Sequence, residues 1–236
     1  MLVFFLAVTA VPAQDFKFRK EIRESTFGLQ TLDGDGTVTG FGTGVVVKID
    51  KDGTTWMLTA AHVTHKAKKI KVWDELRENK KVVGEILYEA EVIRESPDED
   101  LALLRVKKKN LGKPVVFGNH KEIDIDSDVA VCGTFSGEHV RVVTLGKVQG
   151  FDVEGLHKKC RYNMATMTVY KGASGGGMYD MNGKYIGMFV ALRGNSMAYY
   201  ITVENIREWA KLKKVEVDFI FDDKAKRPKN LNALER

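Results

Sequence analysis

Between residues 40 and 201 the chain is a succession of short apolar and β-branched stretches, broken at regular intervals by Gly, Asn and Asp. This punctuation constrains the fold more than any other feature. Val45-Val46-Val47-Lys48-Ile49 and Thr55-Trp56-Met57-Leu58 flank Lys51-Asp52-Gly53, a hairpin signal. Further stretches run over 82–93, 101–106, 129–131, 140–148, 162–169 and 185–192, the last entered through Asn182-Gly183. With 22 Gly and only 4 Pro, the turns rest on Gly, Asn and Asp. Regular short strands of this kind predict an all-β barrel or sandwich. After residue 202 the period changes. Val203, Ile206, Ala210 and Leu212 fall largely at helical spacing with Trp209 alongside. Thr202 is placed to cap that helix, and Lys211, Lys213 and Lys214 suit its C-terminal end, so a helix is expected over about 203–214. Residues 222–236 turn charged and Asn-rich and read as a tail.

A chain of 236 residues is long enough for one domain or two small lobes sharing a core. The net charge of +5 is drawn from 37 basic and 32 acidic residues. Lysines cluster near 66–71, 107–109 and 224–229, but acids are interleaved and no aromatic-plus-basic motif accompanies them. The clusters are read as solvated surface, and no nucleic-acid partner is expected. The run Leu2-Val3-Phe4-Phe5-Leu6-Ala7-Val8 is too short for a membrane span of about 20 residues. It ends in Val11-Pro12-Ala13, so residues 1–13 are expected to be a signal peptide, although no Lys or Arg precedes the apolar run; a buried strand is the other reading. A secreted or periplasmic location follows from the first reading. Two cysteines, Cys132 and Cys160, exclude a disulfide-dense scaffold and a four-cysteine zinc site, and leave open whether they pair.

Three segments carry chemistry. Gly172-Ala173-Ser174-Gly175-Gly176-Gly177 sets a hydroxyl in a backbone free enough to approach a carbonyl and to aim amide N–H groups at it. Thr59-Ala60-Ala61-His62 puts an imidazole just after a β-stretch; a hydroxyl is a weak nucleophile, and His is the side chain suited to take its proton. Asp98-Glu99-Asp100-Leu101-Ala102-Leu103-Leu104 supplies a carboxylate to hold such an imidazole in one tautomer. Asp98 and Glu99 compete for that role, and Asp100 is preferred because it abuts the apolar run. His62 and His65 form an H-x-x-H pair, but no further ligands stand at zinc spacing. Asp33-Gly34-Asp35-Gly36 lacks the remaining ligands of a calcium loop and reads as a turn; no metal is expected.

Chain order separates the serine hydrolases. A nucleophile elbow of the α/β-hydrolase kind needs a His after the Ser, and the five His (62, 65, 120, 139, 157) all precede Ser174. A subtilisin-like order needs Asp before His, and Asp33, Asp35, Asp50 and Asp52 sit in turn-like stretches with no matching motif. Together the three segments, with Gly40-Phe41-Gly42-Thr43-Gly44-Val45 before the His and Tyr185-Ile186-Gly187-Met188 after the Ser, resemble the trypsin-like (chymotrypsin-fold) serine peptidases. The resemblance is strongest to the compact bacterial branch that includes the Deg/HtrA protease domains.

That resemblance implies two packed antiparallel six-stranded β-barrels with a C-terminal helix, the first over about 25–118 and the second over about 119–202, within a peptidase domain of 14–221. It implies a triad of His62, Asp100 and Ser174, an oxyanion hole from the N–H groups of Gly172 and Ser174, and no cofactor. The substrate pocket maps to Thr168, Val190, Ala191 and Leu192; without a carboxylate there, a small or medium apolar P1 side chain is expected. Members activated by zymogen cleavage carry Asp before the Ser; here it is Ala173, so no such switch is expected. Nor is a PDZ-like module expected, with roughly 22 residues after Lys214. The expected function is a serine endopeptidase acting on protein or peptide substrates. The alternatives are a peptidase-fold binding protein without turnover and a basic nucleic-acid-binding barrel.

Overall fold

A computed structural model describes residues 16–78, 81–135, 140–154, 161–213 and 215. The apolar opening run, Cys160 and the charged tail lie outside the described residues. The first six strands are β1 (Thr26–Leu32), β2 (Val38–Ile49), β3 (Thr55–Thr59), β4 (Lys69–Glu78), β5 (Lys81–Ser96) and β6 (Leu101–Val106). They close a barrel in the order β1-β2-β3-β6-β5-β4, with β4 returning to pair antiparallel with β1. The next six are β7 (Asp128–Phe135), β8 (Val140–Glu154), β9 (Arg161–Met167), β10 (Gly177–Asp180), β11 (Tyr185–Arg193) and β12 (Met197–Thr202). They close a second barrel, β10-β11-β12-β9-β8-β7, through the β10–β7 pair. Closure pairs the outer strands of each sheet with one another, although β10 covers only the first part of β11. The expected all-β, two-barrel architecture is the one observed.

Burial explains why the strand stretches read as unbroken apolar runs. In β6, Leu101 and Leu103 join a core shared by both barrels, while Leu104 and Val106 fill the interior of the first. β2 does the same with Val45 and Val47 on one side and Val46 on the other. In the second barrel Ala130 and Cys132 face the shared core, and Val129 and Val131 face the interior. Strands covered on both faces lose the alternation that a solvated face imposes. Burial of Cys132 pushes its thiol up to about 11.

Local signals set the turns and caps. Between β2 and β3, Asp52 Oδ1 accepts the N–H of Thr54, and Gly53 takes a φ of +87°. The Asn182-Gly183 turn joins β10 to β11 with Gly183 at φ +74°. The final helix spans Val203–Leu212; Thr202 Oγ1 accepts the Asn205 N–H at 3.2 Å, and Val203, Ile206, Trp209 and Ala210 are buried.

The short helix α1 (Arg19–Glu24) and the strands β1 and β4 lack an equivalent signature. β1 buries polar residues, Thr26, Gln30 and Thr31, among its apolar ones. β4 begins in a lysine-rich stretch that reads as plain surface, yet Lys71 lies 3.3 Å from Glu89 on the neighbouring strand β5.

Candidate active site

β3 delivers the backbone to Ala60, and the single helical turn α2 (Ala61–Thr64) follows at once, carrying His62 with its side chain 42% exposed. From the mouth of β6 comes Asp100, fully buried, at φ +53°. Asp is one of the few non-Gly residues that enter this left-handed region readily. Its Oδ1 accepts the backbone N–H of His62 at 2.7 Å, and its Oδ2 lies 2.8 Å from Nδ1 of the ring. An ionised carboxylate only accepts, so in the neutral ring the proton sits on Nδ1 and the lone pair on Nε2. The neighbouring acids are engaged elsewhere or exposed. Glu99 accepts from Ser96 Oγ and lies 3.8 Å from Lys213, and Asp98 is exposed. Glu95 braces the far end of α2, accepting the Thr64 hydroxyl at 2.6 Å and lying 3.4 Å from His65 Nδ1.

Ser174 sits in the loop before β10. The loop opens with a turn in which Ala173 N–H donates to Tyr170 O at 3.2 Å and Gly172 adopts φ +98°, the positive φ that a type II turn demands at its third residue. The amides of Gly175 and Gly176 donate to Phe189 O and Ala173 O. Among the described residues, the N–H groups of Gly172 and Ser174 have no acceptor. Gly175, at φ +88°, has no room for a Cβ: one would stand inside contact distance of Thr43 O and Thr59 Oγ1. The loop is therefore pressed against the strand that leads to His62. Thr43 N–H donates to Ser174 O at 2.8 Å, which ties it there.

The hydroxyl of Ser174 donates to the Val190 carbonyl at 2.8 Å rather than to His62, and His62 Nε2 has no partner among the described residues. Of the residues mapped to the substrate pocket, Thr168 is exposed just beyond β9. Val190 is buried in the shared core and offers the loop its carbonyl, while Ala191 and Leu192 are half-buried. A groove of about 420 Å³ runs beside His62, lined by Phe41, Val63, His65 and Lys66 among others. A larger cavity of about 1000 Å³ lies away from all of these residues, between α1, Asp74 and Arg141. Among the described residues no cluster of three or more His, Cys, Asp or Glu is grouped to hold a metal.

Residues 42–188, well over half of the chain, match the family model of the trypsin-like peptidase domain. The chain belongs to the trypsin-like peptidases. It is thereby a member of a serine protease family. This trypsin-like peptidase is 26% identical over 158 residues to the periplasmic pH-dependent serine endoprotease DegQ of Escherichia coli (strain K12), covering 65% of this chain and 31% of DegQ. It thus spans about a third of that relative. In structure it is similar to the HtrA-type protease AlgW solved with a decapeptide (TM-score 0.67, 19% identity, 83% of this chain and 66% of that one). It is also similar to the active form of the Rv3671c protease of M. tuberculosis (TM-score 0.63, 22% identity, 80% and 81%). No helix among the described residues of this trypsin-like peptidase is long and apolar enough to cross a membrane.

The threonines that touch the Ser174 loop from other strands carry no chemical signature of that role in the sequence. Thr43 stands between two glycines, Gly42 and Gly44, and that enclosure was the one available sign that its surroundings are crowded.

Proposed function

We propose that this chain is a serine endopeptidase in which Ser174 is the nucleophile, His62 its general base and Asp100 the residue that orients His62. The pair of hydrogen bonds between Asp100 and His62 carries the reading, because it favours the one tautomer in which Nε2 is free to take a proton. This mechanism requires a χ1 rotation of Ser174 that carries its hydroxyl from Val190 O to His62. The freed Val190 carbonyl is then an acceptor for an N–H of an extended substrate lying along β11. Ser174 Oγ attacks the peptide carbonyl carbon as its proton passes to His62 Nε2. The oxyanion is held by the N–H groups of Gly172 and Ser174, which have no acceptor of their own among the described residues. His62 hands the proton to the leaving amine as the C–N bond breaks, and water then hydrolyses the ester by the same route in reverse.

Thr168, Val190, Ala191 and Leu192 carry no charge, which supports a small or medium apolar P1 side chain. A peptide library in which Arg or Lys at P1 outpaced Ala, Val or Leu would refute that. We place the chain outside the cytoplasm, in keeping with its apolar opening run and a relative described as periplasmic; cell fractionation checks this.

The deciding experiment is covalent labelling with a fluorophosphonate. Wild type is expected to label and Ser174→Ala to remain unlabelled. Failure of the wild type to label would instead favour a binding protein that keeps the fold without turnover.

A further inference from the structure

The loop that carries Ser174 is rich in glycine, and such a backbone turns its amides either way at little steric cost. Something must hold the N–H groups of Gly172 and Ser174 away from internal acceptors. Ala173 offers no charge for this; its methyl is buried with Val131, Met178, Ile186 and Phe189 inside the second barrel. Two threonines in other strands reach the loop. Thr43, in β2 and wholly buried, donates its hydroxyl to Gly172 O at 2.7 Å. That spends its single proton, and its oxygen accepts the backbone N–H of Thr134, in β7, at 2.9 Å. Thr134 Oγ1 lies 3.0 Å from Thr43 Oγ1, 3.0 Å from Gly42 O and 3.3 Å from Gly172 O. Thr59 Oγ1 donates to Thr43 O at 2.7 Å, and Thr43 N–H donates to Ser174 O. Every polar atom of Thr43 is therefore committed, two of them to the loop on the opposite barrel.

We propose that Thr43, aimed by Thr134, is a positioning residue: its hydroxyl anchors the Gly172 carbonyl across the barrel interface and so holds the loop with two amides bare. The inference rests on the peptidase reading above, and adds which residues set the electrophilic half of that site. With the anchor in place, a turned loop would leave the buried Thr43 hydroxyl without its acceptor; without it, the turned and productive loops become closely matched.

The test uses the full chain with four substitutions: Thr43→Val, Thr43→Ser, Thr134→Val, and Thr55→Val as a control. Thr55 is also a fully buried threonine, but its hydroxyl accepts the Leu111 N–H at 3.1 Å and does not touch the loop. The readouts are kcat and KM on one peptide, the inhibition constant of a peptidyl aldehyde of matching sequence, and Tm. Thr43→Val is expected to lower kcat about 10- to 100-fold, within the 10²- to 10³-fold that loss of one oxyanion donor costs, with KM nearly unchanged. Aldehyde affinity, which depends on a tetrahedral oxyanion, should weaken in parallel. Thr43→Ser should restore both, Thr134→Val should show a smaller loss of the same kind, and Thr55→Val should lower Tm without lowering kcat.

A folded Thr43→Val with wild-type kcat and aldehyde affinity overturns the inference, as does an equal loss in Thr55→Val. If Thr43→Val does not fold, Thr134→Val decides: lower kcat at constant KM supports the anchor, and unchanged kcat refutes it. A wild type that neither labels with fluorophosphonate nor cleaves peptide is a different result. It removes the activity reading and this inference with it.

Discussion

The carboxylate of Asp100 grips His62 twice, at its backbone N–H (2.7 Å) and at ring Nδ1 (2.8 Å). Asp100 is fully buried while His62 is 42% exposed on its side chain, so the charge is sheltered and the ring edge it orients faces outward. A buried carboxylate is costly unless its oxygens are bonded, and both oxygens here have a donor on His62.

That geometry makes Asp100→Asn the informative substitution. Asn tolerates the left-handed φ of +53°, and its carbonyl oxygen still accepts the His62 N–H. Its amide, however, donates to Nδ1 and drives the proton to Nε2, where a base is required. Turnover should fall about 10⁴-fold with little change in Tm, since this is the size of the effect that tautomer reversal has in such triads. Steady-state kinetics beside a thermal melt checks this; Asp100→Asn activity near wild type would remove the orienting role.

Gly175→Ala should act on the fold as well as the site. The new Cβ collides with Thr43 O and Thr59 Oγ1, and φ +88° disfavours any L side chain. The combined penalty is about 2–5 kcal/mol, from strain in the left-handed region and from overpacking. Urea titration of the purified variant gives the measured value, and a midpoint equal to wild type would show that the interface has slack.

A pH-dependent stability term is expected from His120, which opens a short 3-10 turn and is buried in the second barrel, away from the candidate site. Its Nε2 lies 2.8 Å from Tyr200 OH and 3.0 Å from Asn163 Nδ2. Burial lowers its pKa from the ordinary 6.5, with Glu204 pulling the other way. Below 6.5 the unfolded chain binds a proton that the native one resists. The stability due to neutral His120 is therefore complete above that pH and is lost as pH falls toward the lowered native value, by up to about 1.4 kcal/mol per pH unit. Wild-type Tm should drop between pH 7 and 5 more steeply than that of His120→Gln. Parallel slopes would contradict the assignment.

Ala173 leads to a prediction about activation. The side chain before Ser174 is an uncharged methyl in an apolar core, so no new N-terminal amine can form an ion pair there. Protein beginning at Gln14 should label with fluorophosphonate at full rate without prior proteolysis. Labelling that appeared only after cleavage near residues 20–40 would refute this.

The linear chain already contained much of this molecule. Strands buried on both faces betray themselves as unbroken apolar runs such as Leu101-Ala102-Leu103-Leu104, and Asn182-Gly183 and Thr202 mark a turn and a cap through local backbone chemistry that needs no distant partner. The three chemical segments and their order stand in the sequence as local motifs, and the resemblance they carry is to the family whose model residues 42–188 match. β1 and β4 were not legible, because the burial of Thr26 and Gln30 and the pairing of Lys71 with Glu89 depend on neighbours supplied by the closed barrel. Of three adjacent acids the sequence favoured Asp100 only through its place against the apolar run; the mouth of β6 sets it, and not Asp98 or Glu99, against His62. The direction of the Ser174 hydroxyl, toward Val190 of the same barrel, and the grip of Thr43 on Gly172, 129 positions away in the other, were likewise decided only by the tertiary fold. Hydrogen bonds are made over about 3 Å, and only the tertiary fold brings such distant groups within that range.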